Sequence, residues 1–95
     1  MLRVAFRDKG PWPPWSLVTA HDLSAGGVKF TCEQPFQKGE RLVLSVQFME
    51  HEIECEGTVT RAAIRRGTKM VDLAVRFEGL SETDKEYITR YSGKL

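Results

Sequence analysis

The segment Asp22-Leu23-Ser24-Ala25-Gly26-Gly27 gathers a carboxylate, a hydroxyl and two glycines into a few consecutive positions. An ionised carboxylate is an acceptor, and the edge of a guanine offers it two donors, N1–H and N2–H. Ser24 can donate to a phosphate or a base, and paired glycines let a flat ligand approach the backbone. The same residues also suit an ordinary hairpin turn, with Asp22 and Ser24 bonded to their own backbone and a glycine supplying positive φ. On residue types alone both readings stand.

Catalytic arrangements are not found elsewhere. His21 and His51 are the only histidines, and neither has the spacing of a metalloprotease helix. Together with Cys32 and Cys55 they amount to a set of zinc-type donors, but no CxxC or HxxxH spacing joins them. Alternation places both cysteines on apolar strand faces, where a free thiol packs as a small hydrophobe. No histidine is positioned to activate a thiol or a serine, and Glu54 and Glu56, on one face of a strand, read as solvated carboxylates on an edge. The expectation is a protein that is not an enzyme and holds no metal or cofactor. Trp12 and Trp15, flanking two prolines, suit either base stacking, a partner surface or a cover over one end of the fold.

The elements that must carry these residues are mostly strands. Leu2, Val4 and Phe6 alternate with Arg3, Ala5 and Arg7, which predicts a first strand over residues 2–8. Pro11, Pro13 and Pro14 interrupt the pattern. A second strand is expected over residues 16–23, a turn at 24–27, and a third strand with Val28, Phe30 and Cys32 on one face. After a loop at 33–39, Leu42, Leu44, Val46 and Phe48 mark a fourth strand. A turn at 49–52 leads to a fifth with Ile53, Cys55, Gly57 and Val59 inward, running on through Ile64 to Arg66. Val71, Leu73, Val75 and Phe77 mark the sixth. The period then changes: Ser81 and Asp84 resemble a capping box, and Tyr87, Ile88, Tyr91 and Leu95 fall at helical spacing, with Gly93 as a stop. Six short strands at hairpin spacing predict a small antiparallel barrel with a helix at one end.

The 95 residues fit one domain spanning positions 1–95. A chain of this size buries only roughly 60–65% of its unfolded surface, enough for one core and one shallow site. Hydrophobic residues at 41% and charged residues at 28% are ordinary for a folded protein. Fourteen Lys and Arg against thirteen Asp and Glu give a net charge of +1, which disfavours bulk DNA or RNA binding. Two cysteines do not make a disulfide framework, and no stretch approaches the ~18–20 apolar residues of a membrane span or the core of a signal peptide. A cytoplasmic protein without membrane insertion is expected.

Asp22-x-Ser24-x-x-Gly27 resembles the D/N-x-S-x-x-G motif of PilZ domains, the bacterial receptors for cyclic di-GMP. The likeness extends through Gly27-Val28-Lys29-Phe30, the Pro35-Phe36-x-x-Gly39-Glu40-x-Leu42 loop, the hydrophobic fourth strand, Ala74-Val75-Arg76-Phe77-Glu78 and the helix after Leu80-Ser81. It implies a mainly β fold: a six-stranded antiparallel split β-barrel with a C-terminal α-helix. It also implies a cyclic di-GMP receptor or adaptor whose ligand lies across the outer barrel surface near Asp22, Ser24 and Gly27.

In this family a second motif, R-x-x-x-R, sits on a flexible segment before the first strand and grips phosphates and guanine faces. The planar fork of arginine suits both tasks. Arg3-Val4-Ala5-Phe6-Arg7 has that spacing. Read instead as first-strand residues, Arg3 and Arg7 lie about 13–14 Å apart on one face, at roughly 3.4 Å per residue. Either assignment is open at this point. The resemblance also implies Arg61 as an auxiliary contact, while Arg65 and Arg66 read as a solvated basic face. The partners implied are cyclic di-GMP and a protein partner or fused effector domain, with no DNA. The alternative is a degenerate interaction module that does not bind the nucleotide and uses the Trp12/Trp15 loop or the helix face.

Overall fold

The computed structural model describes residues 3–8, 15–48 and 50–91. The expectations for Trp12, Gly93 and Leu95 lie outside the described residues, as do those for the side chains of Arg3, Arg7, Phe48 and Tyr91. The described residues form six strands: β1 (Arg3–Asp8), β2 (Ser16–Leu23), β3 (Gly27–Cys32), β4 (Arg41–Phe48), β5 (His51–Ile64) and β6 (Val71–Glu78). One helix follows, α1 (Glu82–Tyr91). The strands close into an antiparallel barrel in the order β1-β2-β3-β6-β5-β4, as the alternating pattern predicts.

Closure depends on β1. It pairs with β2 through Arg3↔Thr19 to Phe6↔Ser16, and with β4 through Arg3↔Gln47 to Asp8↔Leu42. Its inward residues, Val4 and Phe6, are almost completely buried. Phe6 lies 5.0 Å from Phe30 and 5.8 Å from Phe36, ring centre to ring centre. The same interior takes Leu42, Leu44 and Val46 from β4, Ile53 and Val59 from β5, and Val71, Leu73 and Val75 from β6. Burying each such side chain is worth about 1.5–3 kcal/mol before chain entropy is counted.

Two irregularities shape the outer surface. In β2 the register shifts between Ala20 and Asp22, and in β5 it shifts between Val59 and Arg61. Each is a bulge, an extra residue that reverses which face the following side chains take. Leu23 consequently turns inward, and Asp22 stands on the outside with Lys29.

The turn between β4 and β5 is tighter than expected. Phe48 pairs directly with His51, and Glu50 takes φ +67°, so β5 starts at His51 and ends at Ile64. Thr58 pairs with Arg41, and Val59 still bonds Glu40 and Gly39 just before β4; from there to Ile64 β5 is paired on one side only, with β6, whose other side is paired with β3 through Cys32↔Val71.

The Ser81 hydroxyl accepts from the Asp84 amide at 3.1 Å, the capping bond the sequence predicts. The reciprocal half of the box is absent. The Asp84 carboxylate instead meets His51 Nε2 at 3.0 Å, and Tyr87 stacks on the same imidazole with ring centres 4.3 Å apart. Ile88 is fully buried and plugs this end of the barrel. Among the described residues no helix is long and apolar enough to cross a membrane.

Candidate functional site

The bulges bring four outward residues into one row across four strands. Asp22 on β2 pairs with Lys29 on β3, Lys29 with Ala74 on β6, and Ala74 with Arg61 on β5. With strands about 4.8 Å apart the row spans roughly 14 Å. Ala74 is its low point, flanked on either side by a cation. A hollow of about 310 Å³ opens beside it, lined by Asp22, Ser24, Gly27, Lys29, Thr60 and Arg76. A second hollow of about 340 Å³ shares Lys29 and Ala74 with the first and adds His21, Arg61, Arg65 and Asp72. Together they form a shallow trough with four cations, Lys29, Arg61, Arg65 and Arg76, and two carboxylates, the exposed Asp22 and Asp72, which pairs with Arg65.

The turn that ends β2 is rigidly built. Ser24 and Gly27 exchange backbone hydrogen bonds, Ser24 N–H to the Gly27 carbonyl at 2.9 Å and Gly27 N–H to the Ser24 carbonyl at 3.3 Å. The Ser24 hydroxyl accepts from the Gly26 amide at 3.2 Å, and the Gly26 carbonyl accepts from Phe77 on β6 at 2.9 Å. Ser24 thus performs the turn role, but Asp22 does not: it is exposed, and among the described residues no hydrogen-bond partner for its carboxylate is found. The glycines do not supply positive φ here, contrary to expectation; Gly39, Gly67 and Gly79 are the described glycines that adopt it. Gly27 is required for space instead, because a Cβ at that position would lie 2.2 Å from the Val75 carbonyl oxygen.

A polar chain crosses the same face. The Thr31 hydroxyl donates to Asp72 Oδ1 at 2.5 Å, so His21 Nε2, 2.6 Å from that hydroxyl oxygen, must be the donor to it. Arg65 closes the chain through its Nε, 3.0 and 3.1 Å from the two Asp72 oxygens. The hydrogen bond from Thr31, and then that from Arg65, hold the Asp72 carboxyl below its ordinary value. Arg65 is therefore anchored rather than loosely solvated as expected. Arg76 and the Thr58 hydroxyl act similarly on Glu78, at 2.9 Å each, and lower its pKa.

Arg3 and Arg7 occupy β1, where position 3 is paired with both β2 and β4 and position 7 with β4. Position 3 lies opposite Thr19, three residues before Asp22, or about 10 Å along β2. Position 7 lies farther off, opposite Val43. Cys32 is in the core and Cys55 half-buried; burial raises both thiols, and with help from the Asp84 charge Cys55 is pushed up to about 11. Among the described residues no three His, Cys, Asp or Glu side chains are grouped to hold a metal. Trp15, directly before β2, is 47% exposed. Glu56 pairs with Arg41 at 2.9 Å within a doubly paired strand, not on an edge.

Lys29, Ala74 and Arg76 were not singled out from the sequence. Lys29 was within reach of it, since Val28, Phe30 and Cys32 turn inward and leave Lys29 outside. Its place beside Asp22 depends on the bulge.

The family model that describes the PilZ domain matches residues 1–94. The chain belongs to the PilZ domain family. Members of this family are ligand-binding and adaptor modules, and typically cyclic di-GMP receptors. Among solved structures, this PilZ chain is similar to the Bacillus subtilis inhibitor of motility (MotI/DgrA), with a TM-score of 0.77 and 21% sequence identity. The match covers 98% of this chain and 46% of the other, so the PilZ chain spans about half of that neighbour. At this identity the likeness establishes the barrel-and-helix fold. No curated protein matches the sequence.

Proposed function

We propose that this PilZ domain binds cyclic di-GMP in the trough around Ala74 and acts in the cytoplasm as a second-messenger receptor or adaptor. The observation that carries the proposal is the row Asp22–Lys29–Ala74–Arg61, in which an exposed carboxylate and two cations surround a small floor residue. The ligand has complementary parts: guanine edges that donate through N1–H and N2–H, and anionic phosphates. Asp22 accepts from a guanine edge. Lys29 and Arg61 take the phosphates, with the Arg61 fork able to bond an oxygen pair or stack on a base. Gly27 and Ser24 hold the β2–β3 turn beside the ligand. Arg3 is the nearer of the two early arginines to Asp22, so it is the one assigned a supporting contact, with Arg7 outside the immediate trough. A protein partner or a fused effector domain then reads the occupied surface.

The placement of positions 3 and 7 within a paired strand favours one second reading. With no free arginine arm supplied by these two positions, the domain would serve as an interaction module without the nucleotide. Backbone amide NMR during titration with cyclic di-GMP separates the two. Shifts concentrated at residues 22–29, 60–61 and 74–76 support the receptor. An unchanged spectrum at millimolar ligand leaves the interaction module.

A further inference from the structure

We infer that the end of β5 is a docking edge for an acidic, extended segment of a partner protein. The inference is separate from the nucleotide reading and uses the opposite side of the hairpin. Arg65 N–H donates to the Met70 carbonyl at 2.8 Å, which makes this a hydrogen-bonded pair. Such pairs alternate along an antiparallel ladder. By that alternation Ala63↔Asp72 is bonded, while Ala62↔Leu73 and Ile64↔Val71 are not. The N–H and C=O groups of Ala62 and Ile64 therefore point away from β6, toward the side that is left open beyond Val59, whose own groups there bond Glu40 and Gly39. Among the described residues none bonds to them.

The side chains at this edge match. The β5 bulge turns Ala62 and Ile64 to the face opposite Arg61, over a groove of about 310 Å³ formed with Pro35, Phe36, Lys38 and Val71. Phe36 and Val71 are buried beneath it, yet Ile64 is 73% exposed, the most exposed large hydrophobic residue described. Strand addition uses this combination: a run of unpaired backbone groups for affinity and an apolar groove for alternate side chains.

Charge selects the occupant. Between Thr60 and Met70 the chain carries Arg61, Arg65, Arg66 and Lys69 and no acidic residue, against a net charge of +1 for the whole sequence; with Arg61 in the trough and Arg65 paired with Asp72, the exposed Arg66 and Lys69 are the cations left to this end. Lys38 adds a cation on the groove's other bank. A second copy of this chain pairing edge to edge would set two such cationic hairpins against each other. An extended partner segment bearing Asp or Glu between apolar residues gains where the second copy loses.

The test uses the full chain and a short fluorescein-labelled peptide of alternating glutamate and valine, with its lysine–valine counterpart as control. Fluorescence anisotropy should show binding of the acidic peptide only. Ala62→Pro removes an amide that the β6 ladder does not use, and Ile64→Asp removes the apolar anchor; each should weaken binding about tenfold or more. Cyclic di-GMP titration should be unaltered by Ile64→Asp. In the unmodified protein the Ala62 and Ile64 amides should exchange quickly with solvent and slow when the acidic peptide is added, which keeps the test independent of how Ala62→Pro folds. The inference is overturned if those amides are already protected in the free chain, if the lysine peptide binds equally well, or if Ile64→Asp leaves acidic-peptide binding intact. It is also overturned if the edge mediates concentration-dependent dimers that Ile64→Asp abolishes, or if single-stranded RNA competes the peptide off more strongly than unlabelled peptide does.

Discussion

Lys29 on β3 and Arg61 on β5 face each other across a single residue, each the register partner of Ala74 on β6. The two strands are separated by β6 alone, so these cations stand about 10 Å apart over a methyl group. Larger residues at position 74 would fill the space between them. The site is thus defined as much by what Ala74 lacks as by what its neighbours carry.

Ala74→Leu should separate binding from folding. The side chain points outward, so added bulk extends toward solvent and should change stability by no more than about 0.5 kcal/mol. Cyclic di-GMP affinity should fall about tenfold or more, because the floor between the cations is raised. Paired urea melts and ligand titrations check both halves; an unaltered affinity would remove Ala74 from the binding surface.

Gly27→Ala should do the reverse and damage the fold itself. The new Cβ would press on the Val75 carbonyl, a backbone atom that cannot swing aside. A loss of about 1–3 kcal/mol or more is expected in urea denaturation. Gly26→Ala is the control, since its Cβ would meet only the Ser24 hydroxyl oxygen at an ordinary 3.7 Å. That variant should stay within about 0.5 kcal/mol of the parent.

Particular residues explain what the sequence could and could not disclose about this surface. The barrel was legible because Leu42, Leu44 and Val46, and again Val71, Leu73 and Val75, alternate without interruption. The β2 bulge also left a trace: Val18 and Ala20 share one parity and Leu23 has the other, so one residue must be extra between them. The β5 bulge left none. Thr60-Arg61-Ala62-Ala63 offers no large apolar side chain to report which face is inside until Ile64, and Ile64 is exposed. Regular alternation from Val59 would have turned Arg61 inward. Its place opposite Ala74 emerges only from the pairing with β6. For Arg3 and Arg7 the spacing of a motif and the alternation of a strand coincide in the same five residues, and long-range pairing with β2 and β4 selects the strand.

The Thr31–Asp72–Arg65 chain predicts a specific acid response. The Asp72 value in the folded protein lies below its unfolded value of about 3.9. Its contribution to stability is therefore complete above that pH and is lost as pH falls through the folded value. Asp72→Asn should flatten the acid limb of the stability profile below about pH 4 and leave its shape between pH 6 and 8 unaltered. Urea midpoints measured across that range test this; parallel acid limbs for parent and variant would contradict it.

Calorimetric titration with cyclic di-GMP tests the central claim most directly, with Asp22→Ala, Lys29→Ala and Arg61→Ala run beside the parent. Binding at micromolar or tighter affinity is expected, about tenfold to a hundredfold weaker in each variant. Arg7→Ala should bind like the parent. No heat at high ligand concentration, or an affinity that survives loss of Asp22 and Arg61 together, would contradict the assignment of the trough as the nucleotide site.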